Sequence, residues 1–347
     1  MHGTSTFIDP AAVEAWDAWF RWRERTRLHD TTIGTTWTRV ATALTDAEGY
    51  RRYFAAFSSW RLLPDERIIA TAGTQATSWP ADNLVALINA PVFVRERFSA
   101  FACLDLQALT ATADLAVQLL DDASNRCADG TDAPVPLRIG LAGIADALAL
   151  LGLAYGTISA QAMVRELGRA LAHGCFAATV RLARERGARV DLSREARAHA
   201  AERGIPTDVI RDAERHGMRH ARLTALTSQP RLSLLANNVS DALDPIFGVD
   251  RLHSFPPDGR QVPSPGYAMS LALDQRTSVA TDHLMGDVAP EAQLAMRSAL
   301  QPWMDEPITY PLLVAAEPSA KVQLELQQSA AAKGLATPTY RCLRAHA

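Results

Sequence analysis

Lysine is almost missing from this chain: only Lys321 and Lys333 occur among 35 basic residues. A phosphate loop of the Gly-Lys-Ser/Thr type therefore has no candidate, and Schiff-base chemistry has almost none. Cysteine is scarce too. The four thiols, Cys103, Cys127, Cys175 and Cys342, are far apart with no C-x-x-C pair, which argues against a zinc knuckle or a dithiol couple and for reduced cytosolic thiols. No apolar run approaches the roughly 20 residues that a membrane span needs. The first ten residues lack the basic-then-apolar order of a secretory signal, so a cytoplasmic protein is expected. With a net charge of -3 and a pI near 6.3 there is no concentrated positive field, so neither nucleic acid nor an anionic membrane is an expected partner.

What is there reads as an ordinary globular protein of 347 residues, 48% of them hydrophobic and 21% charged. Asp9-Pro10 has the form of an N-cap followed by proline in the first turn, and Trp16, Trp19, Phe20 and Trp22 follow at near-helical spacing. Further helices are expected over 35–44, 47–60, 105–124, 159–187, 193–217, 290–303 and 319–333. Short apolar runs at 84–89, 223–226, 308–315 and 335–340 predict strands, 67–74 a strand or turn, and 137–151 a strand-turn-helix. The Pro- and Gly-rich stretch 251–265 reads as a mobile loop. Alternation of strands and helices implies an α/β fold with mostly parallel strands. The expected division is an N-terminal helical region, 1–75, and an α/β domain, 76–347.

Several fragments stand in a telling order. Arg27-Leu28-His29-Asp30-Thr31-Thr32-Ile33 and Trp60-Arg61-Leu62-Leu63-Pro64 come first. Then follow Asn83-Leu84, Leu119-Leu120-Asp121-Asp122 and Leu137-Arg138-Ile139-Gly140-Leu141-Ala142-Gly143. Leu234-Leu235-Ala236-Asn237-Asn238-Val239-Ser240-Asp241-Ala242-Leu243-Asp244-Pro245 and Lys333-Gly334-Leu335-Ala336-Thr337 complete the set. In this order they resemble the catalytic subunit of the adenosylcobalamin-dependent (class II) ribonucleotide reductases. The resemblance implies an α/β barrel built of two half-barrels, a finger loop whose cysteine becomes a thiyl radical, and adenosylcobalamin as cofactor.

Against that pattern the chain is shortened. The step from Gly73-Thr74 to Asn83-Leu84 passes over most of the first half-barrel and the Asn-x-Cys-x-Glu finger, leaving a partial barrel, or half-barrel, with helical cover. Where the family turns through Pro-Thr-Gly-Thr onto substrate phosphates, this chain has Ser228-Gln229-Pro230-Arg231. Proline there removes an N–H donor and a glycine's backbone freedom, while Arg231 offers a side-chain anion ligand in return. Glu306-Pro307-Ile308 replaces a Ser-Lys-Thr-like stretch.

No catalytic residue is therefore assigned. The substrate-binding expectation rests on Arg231, Ser233, Asn237, Asn238 and Asp244, with self-satisfied Asx and Ser turns as the structural alternative. The chain is expected to be a reductase-like binding or regulatory module, with a nucleotide as ligand and itself or a full-length reductase as partner. An active adenosylcobalamin-dependent ribonucleoside-diphosphate reductase is the alternative. A half-barrel also has open sheet edges, expected at 81–88 and the last strand, which the N-terminal helices or a second chain would cover. Two other motifs compete. Asp121-Asp122-Ala123-Ser124-Asn125 looks like the magnesium motif of class I terpene synthases, without the second motif that such enzymes need. His216 and His220 share a helical spacing but have no third ligand, so no metal site is expected.

Overall fold

The computed structural model describes residues 6–25, 27–76, 79–80, 83–126, 135–246, 251–279 and 288–342. The chain opens with α1 (Pro10–Ala15), capped by Asp9, and runs directly into a π-helical turn, Trp16–Phe20. A small hairpin follows, β1 (Arg23–Glu24) and β2 (Arg27–Leu28). Next come α2 (Ile33–Leu44), with Thr32 and Thr35 forming a reciprocal capping box, and α3 (Ala47–Ser58). Trp37, fully buried, packs on Phe57 at 5.4 Å and edge-on to Trp60 at 5.7 Å. Truncating it to alanine would cost about 3–5 kcal/mol.

Strand β3 (Leu62–Pro64) leads to α4 (Glu66–Thr71), a helix where the sequence predicted a strand or turn. Asp65 decides this locally: its carboxylate caps the Arg67 N–H and pairs with the Arg67 guanidinium, and it also accepts from Val85 N–H. The fully buried β4 (Val85–Asn89) lies between antiparallel β3 and parallel β7 (Arg138–Ala142). The expected free edge at 81–88 is thus covered over its strand portion, while residues 81 and 82 lie outside the described residues. Burial on both faces explains why β4 reads as an unbroken apolar run.

Between these strands sit a minor hairpin, β5 (Val94–Arg95) and β6 (Cys103–Leu104), and the long helix α5 (Leu106–Asn125). After β7 come α6 (Ile144–Leu150) and α7 (Ile158–Arg186), which packs along α5, then α8 (Arg194–Glu202) and α9 (Thr207–His216). Residues 223–226 return beside β7 as an extended segment: Thr224 bridges Ile139 in parallel, and Ala225 N–H donates to Ile139 O at 3.1 Å. The fit is close enough that a β-carbon on Gly140 would stand 2.6 Å from Ala225 O.

The chain continues through α10 (Pro230–Leu235) into the antiparallel pair β8 (Arg251–Phe255) and β9 (Arg260–Ser264), so the predicted mobile loop is a hairpin. Then follow α11 (Tyr267–Asp274), α12 (Pro290–Leu300), β10 (Leu312–Val314), α13 (Ala320–Ala332) and β11 (Tyr340–Cys342), parallel to β10. The architecture is mixed α/β, strongly helical, with small sheets and no closed barrel among the described residues. One cluster of buried side chains runs from Trp16 to Tyr310. No helix among the described residues is long and apolar enough to cross a membrane.

Candidate functional site

Chain reversals concentrate where the extended segment 223–226 ends. Asp241 gathers the first bend: its carboxylate accepts from Ser228 Oγ at 2.5 Å, Gln229 N–H at 2.8 Å and Ser233 Oγ at 3.2 Å. Asn237 and Asn238 then adopt left-handed backbone, φ +66° and +56°, a conformation that asparagine tolerates better than most residues. Their side chains are committed. Asn237 Oδ1 accepts from Ile8 N–H at 2.7 Å, and Asn238 Nδ2 donates to Ser264 Oγ, which itself donates to Asp9. Gly143, at φ +71°, donates to Ser240 O, and a side chain there would strike Pro91.

Beside this turn opens a cleft of about 400 Å³. Arg231, Ser233, Asn238 and Asp244 line it; Asn237 does not, because it is turned toward the N-terminal segment. Sequence reasoning missed the opposite wall, made by Arg251 and His253 of β8 and by Arg341 and Cys342 of β11. The alternation Arg251, His253, Phe255 on either side of a Pro-Pro-Asp-Gly turn was the available signal. Nothing local in the sequence marked Arg341 or Cys342.

Electrostatically the cleft is poised rather than neutralised. Asp244 is 2% exposed; its Oδ2 meets Arg341 at 2.9 Å, while Oδ1 has no hydrogen-bond partner. Burial, helped by repulsion from Asp241 and opposed by Arg341, pushes its carboxyl up to about 7. Burial and neighbouring Arg341 lower Arg251 to about 10, and burial with Arg251 lowers His253 to about 4. Arg231 is less fixed: its guanidinium lies 5.2 Å over the Trp19 ring and 3.7 Å from Glu66. Three arginines around a protonatable carboxyl suit a small anion that also brings a hydrogen-bond donor.

Strands β4 and β7, the turn and part of the cleft fall in one stretch with a known counterpart. Residues 83–250 match the family described as ribonucleotide reductase, barrel domain. No curated protein matches the chain. The ribonucleotide reductase match includes β4, β7 and the turn through Asp244, whereas the β8–β9 hairpin, β10 and β11 lie beyond it. Where the resemblance would place a Ser-Lys-Thr-like stretch, Asp305 Oδ2 accepts from Leu223 and Thr224 N–H groups, and Glu306 pairs with Arg138 at 3.2 Å. That segment braces the 223–226 strand.

The competing motifs dissolve into structure. Asp121 is fully buried and held by Arg186 at 2.5 Å, Arg219 at 2.8 Å and His220 at 3.2 Å. Asp122 receives Arg186 and the Tyr53 hydroxyl. Carboxylates so saturated leave no coordination site for magnesium, and among the described residues no group of three His, Cys, Asp or Glu could hold a metal ion. His220 is part of this knot, apart in role from His216 at the end of α9. Of the cysteines, Cys103 is exposed, Cys175 is buried with its thiol pushed up by burial, and Cys127 lies outside the described residues. Cys342 is not the isolated tail thiol that its position suggests, since it lines the cleft.

Proposed function

We propose that this chain is a divergent relative of the class II ribonucleotide reductase catalytic subunit that binds a small phosphorylated ligand, a nucleotide foremost, without reducing it, as a cytoplasmic binding or regulatory module. Strands β4 and β7 and segment 223–226 run in parallel, with β10 and β11 parallel to each other further on, which supports a half-barrel. Ligands of such sheets bind beyond the carboxyl ends of the strands, where this cleft lies. The observation that carries the reading is the convergence of Arg231, Ser233, Asn238 and Asp244 with Arg251 and Arg341 on one cleft, in a chain with no finger motif between Gly73 and Asn83. Asn237 acts as a positioning residue rather than a ligand. A second copy or a full-length reductase is the proposed partner.

Calorimetric titration with ribonucleoside di- and triphosphates tests binding, with a Kd in the micromolar range expected, about -8 kcal/mol. Incubation with ribonucleotides, adenosylcobalamin and dithiol should yield no deoxyribonucleotide. The second reading, an active reductase with a non-homologous radical cysteine, draws on the Cys342 sulfur at the same cleft. Product formation abolished by Cys342→Ser would establish it in place of the first.

A further inference from the structure

Cys342 brings a nucleophile to a cleft whose other groups are ionic. It is exposed on β11, in register with Val314, and shares the wall with Arg251 and Arg341. Independently, Asp244 lines the same cleft while 2% exposed, and its Oδ1 has no hydrogen-bond partner, a need that an occupant's N–H or O–H donor would meet. We infer that Cys342 is a modification site for a low-molecular-weight acidic disulfide of peptide-like chemistry, whose carboxylates meet the arginines and whose N–H group meets Asp244. This rests on the reading of the cleft as an anion site.

The step balances as thiol–disulfide exchange. The Cys342 thiol loses its proton, its sulfur attacks one sulfur of the reagent, and the reagent S–S bond breaks as the new one forms. The departing half leaves as a thiolate that takes up a proton. Cys342 is thereby oxidised to the disulfide level and one reagent sulfur is reduced to thiol. The adduct fills the space that an anionic ligand would use, so the thiol state of Cys342 gates the cleft. Cys103, also exposed, lies on β6 opposite Arg95, whose charge is paired with Asp105, and serves as an internal comparison.

The whole reduced chain is incubated with glutathione disulfide, which is acidic, or with cystamine, which is cationic, and adducts are located by peptide mass mapping. At low salt, labelling of Cys342 by glutathione disulfide should exceed that of Cys103 by roughly tenfold, through attraction to the arginine-lined wall. The same site should prefer glutathione disulfide over cystamine, and Arg341→Gln should erase that preference while far-ultraviolet circular dichroism stays unchanged. Equal labelling of Cys103, or a site indifferent to reagent charge, overturns the inference. Titration of the unmodified chain with ADP separates the two readings. ADP binding without selective labelling removes only the thiol site, and selective acidic labelling without ADP binding removes only the nucleotide reading.

Discussion

Asp121 and Asp244 are both buried carboxylates among arginines, yet one is closed and the other open. Around Asp121, Arg186, Arg219 and His220 use both oxygens. Burial alone would raise its carboxyl, but those hydrogen bonds outweigh burial and hold it well below the usual carboxylate range. Around Asp244 only Arg341 makes a direct ion pair, one carboxylate oxygen has no hydrogen-bond partner, and burial with repulsion from Asp241 outweighs the nearby arginines, so the carboxyl is raised. A saturated ionic knot ties α5 to α7 and to the approach to segment 223–226; the unsaturated one lines the cleft proposed above as a ligand site.

Mutations can break this contrast. The largest effect is expected from Asp121→Ala, which strands Arg219 and His220 in the interior and should cost about 3–5 kcal/mol in urea denaturation. Because its folded carboxyl is depressed, the stability that Asp121 contributes is full above the unfolded value of 3.8 and is lost as pH falls below it. Asp244→Asn should act in the opposite sense. Its folded carboxyl lies near 7, so the native state retains a proton that the unfolded chain has released, and stability declines as pH rises from 3.8 to about 7. The variant should escape that decline and gain on the order of 2 kcal/mol at pH 8, with no gain below pH 4. Urea midpoints at the two pH values test the sign.

Smaller changes sharpen the contrast on the ligand side. Arg341→Gln should weaken nucleotide binding roughly tenfold in calorimetry while changing stability by less than about 1 kcal/mol, since the side chain is 43% exposed. Arg231→Ala should do least, a change of about 0.5 kcal/mol in stability and a few-fold in affinity, because its guanidinium is half in solvent and shared with Trp19 and Glu66.

Local signals explain what could be read from the chain alone. The capped amphipathic helices α2, α5 and α7 and the fully buried β4 follow directly from period and N-cap residues. So does the strand-turn-helix built on Gly140 and Gly143. Failures have local causes as well. The Arg67–Thr74 run looks extended until Asp65 is seen to cap it, and the proline and glycine of 251–265 punctuate a hairpin turn, leaving the flanking residues as strands. For the cleft, the turn residues were visible because they are consecutive. Arg341 and Cys342 were not, since only the parallel pairing of β11 with β10 brings them there. Asn237 lies in the same bend, but its contact with Ile8 has no local signal, because the partner is 229 residues away.

That last contact makes the segment leading into α1 a splint for a bend 229 residues further along the chain. Ile8 and Asp9 grip Asn237 directly and Asn238 through Ser264, so the cleft floor sets only when two segments far apart in sequence meet, a long closure that slows assembly. A protease nick just after Pro10 would slacken the cleft with every residue of its wall still in place.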